Sequence, residues 1–423
     1  MWSWVPLVFV LGATALSTNH GLKFQTGDVE QHATEPVTRL YQYHGPNEIR
    51  PFSRKRVPAE FETQQYLLMA SSSDHTHSNT IARVVDEVVG RIQPVILVND
   101  SFDREQLWKE FQTLGIDRKD AKVIYIPHDS KWARDFGPTS VVRGRQQFHL
   151  VDWSYSEERL RDDDVSLGLS RISETDTEYT LLKMEGGNLL SNGRGIIVTS
   201  DRFLRQNNEY STGQVSFELA KQLNASTVVV LEPLSGEDTQ HVDMFAAFTS
   251  PNTIVVGSYS KDVDPVNAAI LDRNAELLSK VETRHGKIRV VRIPMGSREE
   301  NCWRTYTNCI FANGVLVVPS YGEFDDPAIL KKVLRTYRRL LPGWEVVTVD
   351  ASDLIGEGGS LRCASLNLTQ LKKVLDSTPD YQLPRITDLL DETPMPSFPR
   401  FSGESHVENE WDIADLTFTH GIR

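Results

Sequence analysis

Cysteine is scarce in this sequence, and a surplus of positive charge is lacking. The chain has 423 residues and three cysteines, so at least one thiol has no partner within the chain. Cys302 and Cys309 are the only close pair, whether bridged or free, which leaves Cys363 as the odd thiol. Lys and Arg number 45 against 58 Asp and Glu, a formal charge of -13. This balance argues against nucleic acid and anionic membrane surfaces as partners and is compatible with a cationic substrate.

Long apolar runs are also lacking, apart from a short one near the N-terminus. Residues 5–11 are apolar and Ala13-Thr14-Ala15 provides a small-residue cleavage pattern, so residues 1–17 are predicted to be a secretory signal peptide. No Lys or Arg precedes the apolar run, and a buried strand is the alternative interpretation. No other stretch approaches 18 apolar residues, so we expect a secreted, soluble mature chain without a membrane span. Sequons that a eukaryotic secretory route could glycosylate begin at Asn99, Asn224 and Asn367.

The rest of the chain divides by composition into three parts. Residues 18–57 are polar and mixed and are interpreted as an N-terminal extension. Residues 58–370 carry the ordered pattern of strands and helices that a globular domain shows. Residues 371–423 are rich in proline and acids and are predicted to form an extended tail.

The main domain repeats one pattern. A β-branched strand ends, a loop with polar residues follows, and a hairpin and usually a helix lead to the next strand. The strand ends lie at Pro127, Lys183, Pro233, Pro294 and Asp350, at intervals of 56, 50, 61 and 56 residues. Such a period is typical of solenoids and radial arrays. In a radial array the five loops would meet at one end of a common axis.

Local signals support the elements of this repeat. Asn192-Gly193 and Asn313-Gly314 are turn signals typical of β-hairpins. Apolar periodicity predicts strands over 64–69 and 93–98 and helices over 80–92, 103–114, 213–223, 265–281 and 327–341. The domain is therefore expected to be α/β.

The loops supply an unusual set of side chains, namely Asp135, Glu185, His241, Asp243, Asn301 and Cys363. Each alone has an ordinary explanation, such as a buried cysteine or a helix-capping asparagine. Their coincidence at one phase of the repeat favours a common site. The glycines at 356, 358 and 359 would let the backbone before Cys363 approach a ligand closely. His75 and His77 have no third ligand beside them, so no metal site is predicted there.

The chemistry of this set suits a guanidinium substrate. A carboxylate accepts two parallel hydrogen bonds from a guanidinium group, and a cysteine thiolate can attack its central carbon. His241 would first protonate the departing nitrogen and then activate water as a base. A cationic substrate and a protonated His241 would both favour the thiolate form of Cys363.

Four motifs in this order resemble the agmatine deiminase and Porphyromonas-type peptidylarginine deiminase family of the guanidine-modifying pentein superfamily. They are Trp132-Ala133-Arg134-Asp135-Phe136-Gly137-Pro138, Glu185-Gly186-Gly187-Asn188, His241-Val242-Asp243-Met244-Phe245 and the glycine-rich loop to Cys363. The segment 58–62 also resembles the start of agmatine deiminases.

This resemblance implies a five-bladed α/β propeller of ββαβ units. It also implies hydrolysis of a guanidine to a ureido group and ammonia through a thiouronium intermediate, without a metal or other cofactor. Cys363 would be the nucleophile and His241 the acid and base, with Asp135 and Asp243 gripping the guanidinium. The resemblance further suggests Asn301 as a polar active-site residue and Trp132 and Glu185 as substrate-binding residues.

The choice of substrate depends on one segment. Arg159 and Arg161 match a stretch whose two arginines hold the α-carboxylate of a C-terminal arginine, and on an extended segment they would share a face. A solvated charge cluster is the alternative. Agmatine has no carboxylate, and secretion favours a peptide, so the prediction is a secreted peptidylarginine deiminase whose partners are arginine-containing peptides or proteins. An agmatine or free-arginine deiminase, a cysteine protease and an inactive guanidine-binding module are the rival hypotheses.

Overall fold

The computed structural model describes residues 38–43, 55–72, 77–144, 147–156, 158–299, 302–373 and 418–419. The predicted signal peptide and most of the predicted extension and tail lie outside these ranges, as does His75.

Strands and helices alternate through the described residues. The strands are β1 Arg39–Gln42, β2 Lys55–Arg56, β3 Tyr66–Ala70, β4 Gln93–Val98, β5 Lys122–Tyr125, β6 Thr139–Arg143, β7 Gln147–Ser154, β8 Thr177–Lys183, β9 Leu190–Ser191, β10 Ile196–Ser200, β11 Thr227–Leu231, β12 Ala246–Ser250, β13 Thr253–Ser258, β14 Glu282–Thr283, β15 Gly286–Lys287, β16 Arg289–Pro294, β17 Arg298–Glu299, β18 Cys302–Trp303, β19 Ile310–Ala312, β20 Val315–Ser320, β21 Glu345–Asp350, β22 Ser365–Leu368 and β23 Phe418–Thr419. The helices are α1 Ser78–Val88, α2 Ser101–Leu114, α3 Ala133–Phe136, α4 Leu160–Asp163, α5 Val165–Ser173, α6 Asp201–Gln206, α7 Thr212–Leu223, α8 Pro265–Lys280, α9 Pro327–Leu340 and α10 Ser352–Ile355.

Five sheets in the described residues share one topology. In each, an inner strand pairs antiparallel with a second strand, which pairs in parallel with a third after a helical crossover. The five sets are β6-β7-β8, β9-β10-β11, β12-β13-β16, β19-β20-β21 and β22-β3-β4-β5. β1 and β2 add to the outer edge of β11 and the inner edge of β6, and β23 pairs with β8. The repeat predicted from the strand spacing is therefore confirmed.

The last strand of the domain closes the ring. β22 pairs antiparallel with β3, which places Leu366 opposite Leu68. One cavity is lined by a residue from the inner strand of each of these five sheets, namely Ser140, Leu190, Phe248, Phe311 and Leu366. The inner strands therefore surround a common axis. The arrangement is the five-bladed α/β propeller that the resemblance implied.

Local chemistry explains where the repeat turns and where its helices begin. Asn313 and Gly314 both have positive φ, 48° and 102°, as the predicted hairpin turn requires. Helix α9 begins after Asp326, whose carboxylate accepts the backbone N–H groups of Ala328 and Ile329. Strand β11 is buried along its whole length, because its alternate residues pack into two different apolar clusters, Val229 and Leu231 in one and Val228 and Val230 in the other.

Several open points of the sequence are resolved. Cys302, Cys309 and Cys363 are all free thiols, so the first two are not bridged. The Asn367 side chain is buried and donates to the carbonyl oxygen of Phe311, which leaves that sequon inaccessible in the folded protein. In the described part of the chain, every helix is too short or too polar for a bilayer crossing.

Candidate active site

The predicted catalytic side chains in the described residues lie in connections between two sheets, Asp135 within the short helix α3 of its connection. Asp135 lies between β5 and β6, Glu185 between β8 and β9, and His241 with Asp243 between β11 and β12. Cys363 lies between β21 and β22. These loops leave the outer strand of one sheet and enter the inner strand of the next, so their ends converge at the axis.

His241 is held between two carboxylates. Its Nε2 lies 2.6 Å from Glu185 Oε2, and its Nδ1 lies 3.7 Å from Asp135 Oδ1. Burial opposes a charge on the imidazole, but Asp135, Glu185 and Asp243 outweigh it and raise the pKa of His241 to about 9. The histidine is therefore protonated at neutral pH and suited to act first as a general acid.

Glu185 supports His241. The Arg202 guanidinium donates to both Glu185 oxygens, at 3.0 and 3.1 Å. Burial raises the pKa of Glu185, yet the hydrogen bond and charge of His241 together with Arg202 lower it to about 2. Both Glu185 oxygens are thus engaged and the carboxylate orients His241, while the substrate contact of Glu185 stays a prediction.

Gly187 allows Asp135 and His241 to approach each other. Its N–H donates to Asp135 Oδ1 at 3.2 Å. A Cβ atom at this position would lie 2.5 Å from His241 Nδ1 and 2.9 Å from Asp135 Oδ1, so only glycine fits. Burial raises the pKa of Asp135 to about 7, with Glu185 and Asp243 adding to the increase and His241 opposing it.

Cys363 lies on the floor of the site and is 2% exposed. Its Sγ lies 3.2 Å from Asn308 Nδ2, which donates to it, and 3.9 Å from Asp243 Oδ2. Burial and the carboxylates of Asp243 and Asp135 raise the pKa of Cys363 well above its usual value. The free site therefore favours the thiol, and a cation bound between the carboxylates would favour the thiolate.

Asn308 is the neighbour of the Cys363 sulfur that the sequence analysis missed. Its Oδ1 accepts the backbone N–H groups of Arg362 and Cys363, at 2.8 and 3.2 Å. The predicted asparagine, Asn301, lies outside the described residues. A signal for Asn308 exists, because Asp135, Asp243, Asn308 and Cys363 all lie within four residues of the inner strand that follows. The number of residues between a loop residue and the strand that follows it therefore indicates how near that residue lies to the axis. The number of residues from the preceding strand is a poorer guide.

Trp132 contacts the loop that presents the nucleophile. A Cβ atom at Gly359 would lie 2.5 Å from its ring carbon Cζ3, so this glycine accommodates the indole. The neighbouring Lys131 Nζ lies 2.5 Å from Glu357 Oε2 of the same loop. These two contacts fix the loop beside the site.

The geometry expected for Arg159 and Arg161 was wrong. The segment is not extended, because Arg159 precedes helix α4 and Arg161 lies inside it. Residues two apart on a helix do not share a face. Arg159 Nη1 donates to the Tyr155 hydroxyl at 3.1 Å, whereas the Arg161 backbone N–H donates to Asp129 and its side chain is 67% exposed. The two arginines are therefore not paired as one clamp.

Comparisons with known proteins agree with this geometry. The family model for the Porphyromonas-type peptidyl-arginine deiminase matches residues 56–368. An agmatine deiminase of Pseudomonas fluorescens is 25% identical over 359 residues, which covers 73% of this chain and 93% of that protein. An agmatine deiminase of Pseudomonas putida is 24% identical over 318 residues, covering 66% and 83%.

A solved structure shows the same fold. The C. jejuni agmatine deiminase has a TM-score of 0.63 and 22% identity to this chain, and the match covers 75% of this chain and 96% of that one. The family match spans all five sheets and every loop that carries a site residue. Together with the cysteine, histidine and carboxylates at the axis, these findings identify the chain as a member of the Porphyromonas-type peptidyl-arginine deiminase family, a hydrolase that acts on guanidino C–N bonds.

Proposed function

We propose that this protein hydrolyses the guanidinium group of peptidyl-arginine, with a preference for a C-terminal arginine, to citrulline and ammonia. The observation that carries the proposal is the position of Arg159, a cation at the edge of an acidic site. Tyr155, which holds Arg159, packs its ring against Phe136 at 6.4 Å between centroids, directly beside Asp135.

The charge at this edge discriminates between substrates. Desolvation lowers the pKa of Arg159, but Tyr155, Asp162 and Asp135 outweigh it and raise the pKa above its usual value, so the guanidinium stays charged. Agmatine has an ammonium group at the end opposite its guanidinium, and this cation would be repelled by the positive charge of Arg159. An α-carboxylate at the same distance would accept hydrogen bonds from Arg159. Secretion, predicted from residues 1–17, also fits a peptide or protein substrate.

The reaction follows from the positions of four side chains. Asp135 and Asp243 accept the guanidinium N–H groups, and the bound cation promotes loss of the Cys363 proton to solvent. The thiolate adds to the guanidinium carbon, His241 protonates one nitrogen, and ammonia leaves to give a thiouronium on Cys363. Neutral His241 then takes a proton from water. The resulting hydroxide adds to the same carbon, the C–S bond breaks with the electron pair going to sulfur, and the hydroxyl proton passes to the Cys363 thiolate. The ureido product then leaves and the thiol is restored.

The test compares four substrates under the same conditions. Ureido formation and ammonia release are measured with a peptide ending in arginine, the same peptide extended beyond the arginine, free arginine and agmatine. We expect the peptide with C-terminal arginine to have a kcat/KM at least about tenfold above that of agmatine, because one ionic contact differs in sign. Cys363→Ala is the control and should release no ammonia.

Agmatine deiminase activity is the second candidate, because the named relatives from two Pseudomonas species are agmatine deiminases. Preferential turnover of agmatine would contradict the proposed substrate and support this candidate. Failure to release ammonia from all four compounds would favour a guanidine-binding protein instead.

A further inference from the structure

Arg362, the residue before the nucleophile, points its guanidinium into the site floor. Its Nη1 donates to Asp243 Oδ2 at 2.7 Å, its Nε to Glu60 Oε2 at 3.0 Å and its Nη2 to the Leu189 carbonyl oxygen at 3.2 Å. The side chain is 3% exposed. Three directed contacts to three different parts of the chain use the planar fork of an arginine, which a lysine cannot reproduce.

A second buried arginine, Arg134, also contacts the carboxylate of Glu60. Arg134 Nη1 lies 2.6 Å from Glu60 Oε1, and Arg134 Nε donates to the Arg362 carbonyl oxygen at 3.3 Å. Burial raises the pKa of Glu60, but Arg134 and Arg362 outweigh it and lower the pKa below its usual value. Glu60 is therefore a charged anchor that holds the Arg362 guanidinium from the side opposite Asp243.

Asp243 has one oxygen engaged and one available. Arg362 occupies Oδ2, while Oδ1 is buried and has no hydrogen-bond partner among the described residues. The Asp243 side chain is fully buried, and a buried acceptor without a donor is costly unless a ligand supplies one. Asp243 lies beside Cys363 Sγ, where the guanidinium carbon must be attacked.

We propose that Arg362 is a positioning residue that holds Asp243 by Oδ2, so that Oδ1 faces the substrate guanidinium. This inference rests on the proposed function for its ligand class, but it requires guanidinium binding and no particular substrate. In this arrangement two guanidinium groups bind the Asp243 carboxylate. Arg362 donates to Oδ2, and the substrate guanidinium donates to Oδ1. Without the hydrogen bond from Arg362, the Asp243 carboxylate would be free to rotate, and its contact with the substrate would weaken.

A purely structural ion pair is the competing explanation. A buried ion pair contributes little net stability on average, but removing one partner is destabilising. A structural role therefore predicts fewer folded molecules, with lower apparent kcat and unchanged KM. A positioning role predicts weaker binding by every folded molecule, hence a higher KM.

The first experiment measures binding without turnover. Agmatine and Nα-acetyl-arginine are titrated calorimetrically into Cys363→Ala protein, with and without Arg362→Lys. We expect Arg362→Lys to weaken binding of both compounds about tenfold or more, since one charge-assisted hydrogen bond to Asp243 is misdirected. The matched control is Arg134→Lys, which also loses a buried contact to Glu60 but has none to Asp243, and whose binding should weaken less than threefold. Equal effects of the two lysine variants would overturn the proposal.

The second experiment uses active enzyme. With Cys363 present, Arg362→Lys should raise KM about tenfold and change kcat less than threefold. If KM is unchanged while kcat falls with the folded fraction, the proposal is wrong. Should Arg362→Lys fail to fold, Glu60→Gln loosens the anchor while Arg362 remains, and we expect KM to rise about threefold; an unchanged KM for that variant also overturns the proposal.

The outcomes separate this proposal from the proposed substrate. If wild-type protein turns over agmatine in preference to peptidyl-arginine, the proposed substrate fails while the Arg362→Lys comparison proceeds on agmatine. If Cys363→Ala protein binds neither compound, both proposals fail.

Discussion

The floor and the rim of the site are built differently. The floor consists of Asp243, Asn308, Arg362 and Cys363, which are all buried and joined by hydrogen bonds of 2.7 to 3.2 Å and a longer thiol contact. The rim consists of Tyr155, Arg159 and Arg161, and its two arginines are exposed. The floor therefore tolerates few changes and fixes the chemistry. The rim is exposed and can change without unfolding the protein, and under the proposed function it selects among guanidine substrates by the charge at their other end.

The largest effect is expected above the floor, from separating the acid His241 from the Asp135 carboxylate beside it. Gly187→Ala inserts a Cβ 2.5 Å from His241 Nδ1 and should lower kcat/KM at least about 100-fold, because displacing catalytic groups by about 1 Å has that effect. The control is Gly213→Ala in α7, where a Cβ meets no atom within 4 Å. Activity within threefold of wild type in Gly187→Ala would contradict the described geometry.

The support of His241 is tested by pH. The Cys363 thiolate forms only after the cation has bound, so the readout is kcat, which follows the groups of the substrate complex. His241 can act as an acid only while it is protonated, and its pKa of about 9 in the free site predicts that kcat falls at high pH. Glu185→Gln removes an anion that raises the pKa of His241, so the falling limb should move to lower pH and the maximum should drop about 30-fold. Arg202→Gln keeps the Glu185 charge and should leave the limb near pH 9. An unshifted limb in Glu185→Gln would show that another group sets it.

Asn308 offers a measurement on the thiol alone. Asn308→Asp keeps the shape but places a carboxylate about 3 Å from Sγ, which disfavours the thiolate. The rate of Cys363 alkylation by iodoacetamide at pH 8 should fall about tenfold, equivalent to one pKa unit. Asn308→Ala, which adds no charge, should slow alkylation less. Equal rates in the aspartate variant and wild type would place Asn308 away from the thiol.

The smallest effect is expected at the rim. Arg159→Ala should lower kcat/KM about fivefold for a peptide with C-terminal arginine and leave agmatine turnover unchanged or raised, because one partly exposed ionic contact is lost. Arg161→Ala is the matched control and should change neither substrate more than twofold, since its side chain is exposed. Equal losses from both variants would restore the two-arginine clamp.

The repeat and most of the site were accessible from the sequence because both depend on local order along the chain. Backbone preferences within each unit produce the alternation of strands and helices, the turn pairs such as Asn313-Gly314 and the intervals between strands. Closure of the ring then brings equivalent loops together. Asp135, His241, Asp243 and Cys363 were found for this reason. The role of Arg159 was tied to an extended segment, and the helical turn there was missed because the charged stretch has no clear apolar period.

The sequence by itself determined the number of units, the order of their strands and, apart from Asn308, the catalytic side chains that the loops bring to the axis. Only the tertiary structure decided which of those side chains contact each other. Glu60 meets Arg362 across 302 positions, and Asn308 meets Cys363 across 55. Such partners depend on hydrogen-bond directions between units that are distant in sequence, and no local period records them.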